Sequence, residues 1–384
     1  MPLFKTLLSA AYPLNFLLYA STPSLRSKDP QTIKKEGGAA IAFKGKGVAN
    51  TLEDHLGVFT GTVPKLFLAH FIWLGLNWAS EKAKYAEFSQ SWIVSIVLRD
   101  LFLTYVVASF CDFVAYNKAS PWYSTLKDFK FSPTYADQRP EKLLGFIPVT
   151  QTIHDMFWST VSTLIVAAIE IYTLNAWATG KLPLNAPMPS NNGDWWRDMA
   201  TVIWVLTMPY WRLAHFFFVH RGMHSWHTRS SEYWILRQIP DIGHWLYKNV
   251  HELHHKSKNP TAWSGVSMHP VESFTYYTAA FIPLIFGAHP IVFFYTKFDL
   301  TLAALIGHDG FAFPGGGSQP HWLHHLMVDV NYGENYAPFD YFFGSFAATE
   351  EEASNLREER NARKRKFKVA LTEAESTTVG QKTE

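Results

Sequence analysis

Fourteen of the seventeen histidines fall between His215 and His325, and eight of them stand in three short boxes. His220-Arg221-Gly222-Met223-His224 is an HxxxH, and His251 to His255 and His321 to His325 are both HxxHH. Residues at i, i+3 and i+4 share one face of a helix, so each HxxHH can aim three imidazoles at one point, and the HxxxH adds two. A single zinc takes three or four protein ligands, so eight nitrogens suit two metal ions about 3.5–4 Å apart. Imidazole alone leaves Fe, Zn, Cu and Ni open. Burying this many imidazoles at a membrane surface is costly unless something coordinates them.

The other histidines divide by context. His308-Asp309-Gly310 could supply a ninth ligand, with Asp309 as the acceptor that fixes a ligand's tautomer. His269 precedes Pro270 and is therefore extended, either a loop ligand or a structural residue. His215, His227 and His244, beside the first box, read as supporting or core residues; His55, His70, His154 and His289 read as structural. His251-Glu252-Leu253-His254-His255 also satisfies HExxH, the membrane zinc-protease pattern in which Glu252 would be the base. That reading uses one zinc and leaves the other two boxes idle. A metal transporter would instead place its ligands within the spans.

Helices must carry the boxes. Ser318-Gln319-Pro320, after Gly315-Gly316-Gly317, predicts a helix start immediately before His321, and Asn259-Pro260 predicts the end of the one bearing His254 and His255. Only 17% of the 384 residues are charged, against about 25% in soluble proteins. The 30 Phe, 15 Trp and 17 Tyr suit a chain with much surface in or near lipid. Apolar runs predict four spans, Pro64–Ala79, Trp92–Tyr116, Ile153–Ala178 and Met199–Val219. Phe274–Ile306 is broken at Gly287-Ala288-His289-Pro290 into halves too short to cross singly, which predicts a re-entrant hairpin. The fold class expected is an all-α polytopic membrane bundle with a histidine-rich cap. Arg99-Asp100, Asp112 and Glu170 inside these runs read as internal ion pairs or as pocket contacts.

Lys and Arg are concentrated in residues 1–63 and 117–150, so the positive-inside rule puts those segments and everything after Val219 in the cytosol. Leu7–Ala20, with Pro13 and Asn15, makes a poor signal peptide. One cysteine, Cys111, excludes an internal disulfide. A net charge of +2 with no basic face outside the tail speaks against a nucleic-acid partner.

Residues His215–Phe346 resemble the fatty acid hydroxylase/sterol desaturase superfamily. The likeness lies in the three boxes, in Trp263-Ser264-Gly265 and Met268-His269-Pro270-Val271-Glu272, in His308-Asp309-Gly310, and in the trailing Asn331-Tyr332-Gly333 and Phe343-Gly344-Ser345-Phe346. The resemblance implies a cytosol-facing, histidine-ligated non-haem diiron centre that uses O2 to oxidise an unactivated C–H bond in a lipid. Its ligands here would be His220, His224, His251, His254, His255, His321, His324 and His325, with His308 as the ninth. With no GxGxxG, flavin or haem motif in the chain, electrons would come from cytochrome b5 or a similar donor with its reductase. The trailing motifs look most like sterol C5-desaturases, which implies a sterol or related isoprenoid lipid in the endoplasmic reticulum; a lipid hydroxylase or squalene-type epoxidase shares the ligands. The organisation expected is a cytosolic segment 1–63, a membrane region 64–214, a catalytic domain 215–347 and a charged tail 348–384. Thr228–Gly243 looks like an insertion that could reshape the pocket entrance. Arg363-Lys364-Arg365-Lys366 in the tail could lie on anionic headgroups or be solvated, and Lys382 weakly resembles a retrieval signal.

Overall fold

The computed structural model describes residues 52–380 apart from 122, 128–129, 131–139, 184–194, 227–233, 311, 314–315, 318 and 335–338. The expectations placed on the first 51 residues, His227, Ser318 and Lys382 lie outside them. Ten α-helices of five or more residues are described: α1 Leu52–Gly75, α2 Gln90–Tyr116, α3 Gln151–Ala178, α4 Trp195–Gly222, α5 Ile242–Asn249, α6 Pro270–Tyr277, α7 Phe281–Ile285, α8 Pro290–Gly307, α9 Gln319–Met327 and α10 Glu350–Gly380. The described strands form two antiparallel hairpins, Pro140–Leu143 with Ile147–Thr150 and Ala312–Phe313 with Gly316–Gly317. The fold is an all-α membrane bundle.

Among the described residues four helices are long and apolar enough to cross a membrane: α2, α3, Met199–Gly222 of α4, and α8. Their membership differs from the sequence reading. The first expected span falls in α1, which contains Pro64 and stops at Gly75, short of the apolarity of the other four. The second half of the broken run is instead one continuous 18-residue helix, about 27 Å long and close to the roughly 30 Å of a bilayer core.

The hairpin itself is present. Gly287 takes the left-handed conformation at φ 63°, which costs glycine nothing. The His289 side chain then accepts from Ile291 N (3.1 Å), and Pro290 opens α8. His269 and Pro270 repeat the device at the start of α6, where the His269 ring accepts from Val271 N (3.2 Å). His269 is thus a helix cap. The incoming limb, α6 and α7, runs antiparallel to α8, with Tyr276 OH donating to Leu300 O (2.9 Å) and Tyr277 OH paired with Thr301 Oγ1 (2.8 Å).

The hairpin tip meets Trp73 of α1 and Trp204 of α4, with Trp73–His289 and Trp204–Phe286 ring centroids at 5.8 and 5.7 Å, and Trp177 of α3 packs on Phe293 at 5.7 Å. At the opposite end α4 and α8 finish and α3 begins, and the histidines gather there. α8 and α3 are the inner helices, 67% and 56% buried over their apolar windows, against 22% for α2 and 28% for α4. Leu98 and Phe102 of α2 and Ile203 and Phe218 of α4 stand exposed, as lipid-facing positions should.

Two ion clusters cross the bundle. Arg99 Nη2 meets Asp100 Oδ1 at 2.8 Å and Glu170 Oε2 at 2.5 Å, while Lys297 meets Asp100 Oδ2 at 2.5 Å and also Glu170. Lys65 and Arg212 share Asp299, and Arg212 also pairs with Glu334. The internal ion-pair reading of Arg99, Asp100 and Glu170 is the one realised.

Candidate metal centre

The nine histidines named from the sequence meet in two sets, within each of which the ring nitrogens lie within 4.8 Å of one another. One set is His220, His224, His251, His255 and His324; the other is His254, His308, His321 and His325. His220 sits in the last turn of α4, His224 just beyond it, His308 caps the end of α8, and the third box rides on α9. The second box is a six-residue 3₁₀ segment, His251–Lys256, rather than the α-helix expected. Nor does either HxxHH aim all three rings at one point. In each the i, i+4 pair stays together and the i+3 ring goes to the other set, so both boxes bridge the two sets.

The donor chemistry can be read from what the far ring nitrogens do. His254 Nδ1 donates to Ser267 O (3.1 Å), His308 Nδ1 to Ala304 O (2.7 Å), His220 Nδ1 to Tyr332 O (2.6 Å) and His324 Nδ1 to Val330 O (2.6 Å). His251 Nδ1 faces Glu272 Oε1 at 2.7 Å. A carbonyl only accepts, so in the first four rings the proton is on Nδ1 and Nε2 presents a bare lone pair. Yet His254 Nε2 and His308 Nε2 face each other at 3.2 Å. Two lone pairs aimed at one point repel unless a cation lies between them. Metal–nitrogen bonds of about 2.0–2.1 Å put neighbouring ligands about 2.9 Å apart at right angles and about 3.4 Å apart in a tetrahedron. The Nε2 pairs at 2.8–3.3 Å fall across that range. His324 Nε2 and both His325 nitrogens are buried without a hydrogen bond, so the residues fit a bound metal pair.

The motifs that trail the boxes supply these acceptors. Val328, β-branched, takes φ 69°, a strained turn for such a side chain, and the chain folds back so that Val330 O reaches His324. Asp340 accepts from Tyr332 N (2.9 Å), Gly333 N (2.6 Å) and Ser345 Oγ (2.6 Å), fixing the carbonyl that holds His220. Asn331 binds Ala347 through both backbone groups and donates to Pro320 O at the start of α9. In Trp263-Ser264-Gly265, a Cβ on Gly265 would stand 2.2 Å from Ala304 O. Only glycine lets this 3₁₀ turn lie against the carbonyl that orients His308.

Asp309 does not fix a tautomer at His308, because Ala304 O holds that nitrogen. The backbone of Asp309 accepts instead from the buried Lys130 (2.6 Å), whose ammonium burial lowers to about 8 while Asp309 and Asp112 oppose the shift. Burial likewise keeps the imidazoles neutral: desolvation holds His251 at about 3 and His224, His255, His308, His321, His324 and His325 well below the usual range. Glu252, the base that a zinc protease would need, is exposed while His251, His254 and His255 are buried. His215 reaches Thr278 Oγ1 (2.9 Å) on the hairpin, outside both sets. Glu272 and Tyr332 stand in sequence motifs that assign them no role; the signal for Glu272 is a carboxylate at the start of the apolar run that follows the second box.

Residues 202–345 match the family model described as Fatty acid hydroxylase. The chain is 33% identical over 122 residues to a lathosterol oxidase of Rattus norvegicus, covering 30% of this chain and 40% of that one. It is 31% identical over 111 residues to a Delta(7)-sterol 5(6)-desaturase of Gibberella zeae (28% and 32% covered) and 29% identical over 114 residues to a methylsterol monooxygenase of Arabidopsis thaliana (26% and 43%). The alignment thus spans about 40% of the length of the lathosterol oxidases it matches. No solved structure matches the chain.

Proposed function

We propose that the two histidine sets hold two iron ions and that the chain is an O2-dependent membrane oxidase of a sterol or sterol precursor, with C5-desaturation as its reaction. The observation that carries the metal reading is the pair of bare Nε2 atoms, on His254 and His308, aimed at each other 3.2 Å apart. The names of the sterol-oxidising relatives support the substrate class. Iron, when bound, supplies the power to activate O2 and remove hydrogen from an unactivated C–H bond. Desaturation then balances as loss of two substrate hydrogens with O2, two protons and two electrons giving two waters.

The chain's own part is orientation and exclusion. Backbone carbonyls lock four ring tautomers, and Glu272 increases the basicity of His251. Burial of the rings at the ends of α4 and α8 keeps water from the oxidant while a lipid enters from the bilayer. Two electrons must come from a separate donor, cytochrome b5 with its reductase, reaching a site on the cytosolic face of the endoplasmic reticulum. The methylsterol monooxygenase relative keeps hydroxylation as the second reading, since both outcomes begin with the same hydrogen abstraction.

Expression in yeast lacking its sterol C5-desaturase, with sterol profiling, tests the reaction. A restored C5 double bond is the expected result; a new hydroxyl or epoxide moves the assignment, and an unchanged profile removes the sterol reading.

A further inference from the structure

One face of α3 carries a polar stripe, Gln151, Asp155 and Ser159 at i, i+4 and i+8, and each of these residues is 0% exposed. The stripe grips the segment that follows the second box. Gln151 Nε2 donates to Asn259 O (2.9 Å) and Ser159 Oγ to Trp263 O (2.6 Å). Between them, Asp155 accepts three serine hydroxyls, Ser257 Oγ (2.6 Å) and Ser267 Oγ (3.0 Å) on Oδ1 and Ser264 Oγ (2.8 Å) on Oδ2. His154 Nδ1 lies 3.3 Å from Oδ1 and Gln151 Nε2 3.4 Å from Oδ2.

A buried carboxylate needs an explanation, since leaving water costs it several kcal/mol unless hydrogen bonds replace hydration. Here the replacements are drawn from three serines spread over eleven residues, so the acid ties that segment to one point on a rigid helix. Two of those serines adjoin the metal set directly. Ser257 N bonds His254 O at 3.2 Å, and Ser267 O accepts from His254 Nδ1 at 3.1 Å. Asp155 therefore holds His254 from both sides, through its backbone and through its ring.

We propose that Asp155 is a positioning residue for His254, acting through Ser267 and Ser257 to keep Nε2 of that ring aimed at His308. The inference rests on the two-metal reading, and it makes a site-selective claim: only the set His254, His308, His321 and His325 depends on Asp155. Loss of an outer partner of a metal ligand typically weakens binding by about 10–100-fold. One step further out, the lower end of that range is expected.

The test is a Co2+ titration of metal-stripped, detergent-purified full-length protein, followed by visible absorption, with thermal unfolding recorded alongside. Wild type should bind in two phases. Asp155→Asn should weaken one phase about tenfold and leave the other in place, and Ser267→Ala should weaken the same phase less. Combining Asp155→Asn with His308→Ala should add nothing further in that phase, because both act on one set. Ser159→Ala, which loosens the same segment without touching Asp155 or His254, should lower the melting temperature and leave both phases intact. Equal weakening of both phases, or a matching phase loss in Ser159→Ala, would overturn the proposal in favour of a structural role. If Asp155→Asn does not fold, Ser267→Ala decides: an unchanged titration there overturns it as well. A wild type that binds no Co2+ would strike the metal reading itself, a different failure.

Discussion

Two buried polar regions lie in the same bundle and answer burial in opposite ways. The ion cluster of Arg99, Asp100, Glu170 and Lys297 contains two cations and two anions, each facing its opposite. Its charges balance within the bundle. The histidine region, eleven residues further along α8 from Lys297 to His308 and so about 16 Å away, is made of like donors whose lone pairs converge. Such sets could hold metal ions. Buried groups that satisfy one another clamp helices together; buried groups that share an unmet need mark the place where chemistry is done.

Substitutions at the two regions should therefore separate cleanly. The largest effect is expected in the histidine region: His308→Ala or His324→Ala should reduce product formation by at least about 10³-fold, the scale on which removing a group essential to catalysis acts, while the protein stays in the membrane with its melting temperature little changed. Turnover retained within tenfold would contradict a ligand role. In the ion cluster Lys297→Met should cost about 3–5 kcal/mol by leaving Arg99 alone to offset two buried carboxylates, seen as a lower melting temperature in detergent with metal content per folded chain unchanged. Adding Glu170→Gln should recover part of that loss. A Lys297→Met variant that loses metal and keeps stability would erase the distinction between the two regions.

A smaller effect is expected from Glu272→Gln, which leaves a hydrogen-bond acceptor for His251 but removes the charge. About tenfold weaker metal binding should be measurable by competition with a chelator, with no change at Lys297's cluster. Acid provides the mildest probe. A free imidazole protonates near 6.5, whereas burial holds His251 at about 3; between those values the unfolded or opened state binds more protons than the native one. Stability and metal retention should be full above pH 6.5 and decline as pH falls through that window, with chelator-driven metal loss faster at pH 5.5 than at pH 7.5. A rate independent of pH would mean that the rings are not buried in their neutral form.

Much of this was written in residue spacing. The i, i+4 relation in each box survives as a pair of rings in one set, and Gly287 to Pro290 turns the chain where a left-handed glycine and a helix-opening proline should. Spacing could not show how the i+3 rings cross between sets, because that depends on how the second box and α9 pack, not on either alone. The ion cluster was half legible. Arg99, Asp100 and Glu170 stand out in apolar runs, but Lys297 and Asp299 were absorbed into the expected hairpin, and their partners come from four other helices. Asp155 was invisible for the same reason: an aspartate near the start of a helix reads as ordinary until three distant serines are found around it.

The central claim is that nine histidines of this chain hold two irons. Metal analysis of the full-length protein purified in mild detergent, alongside His308→Ala, tests it most directly. About two irons per wild-type chain, falling towards one in His308→Ala while the fold persists, is the predicted result. A single zinc per chain, or a fully active protein with no iron, would contradict it.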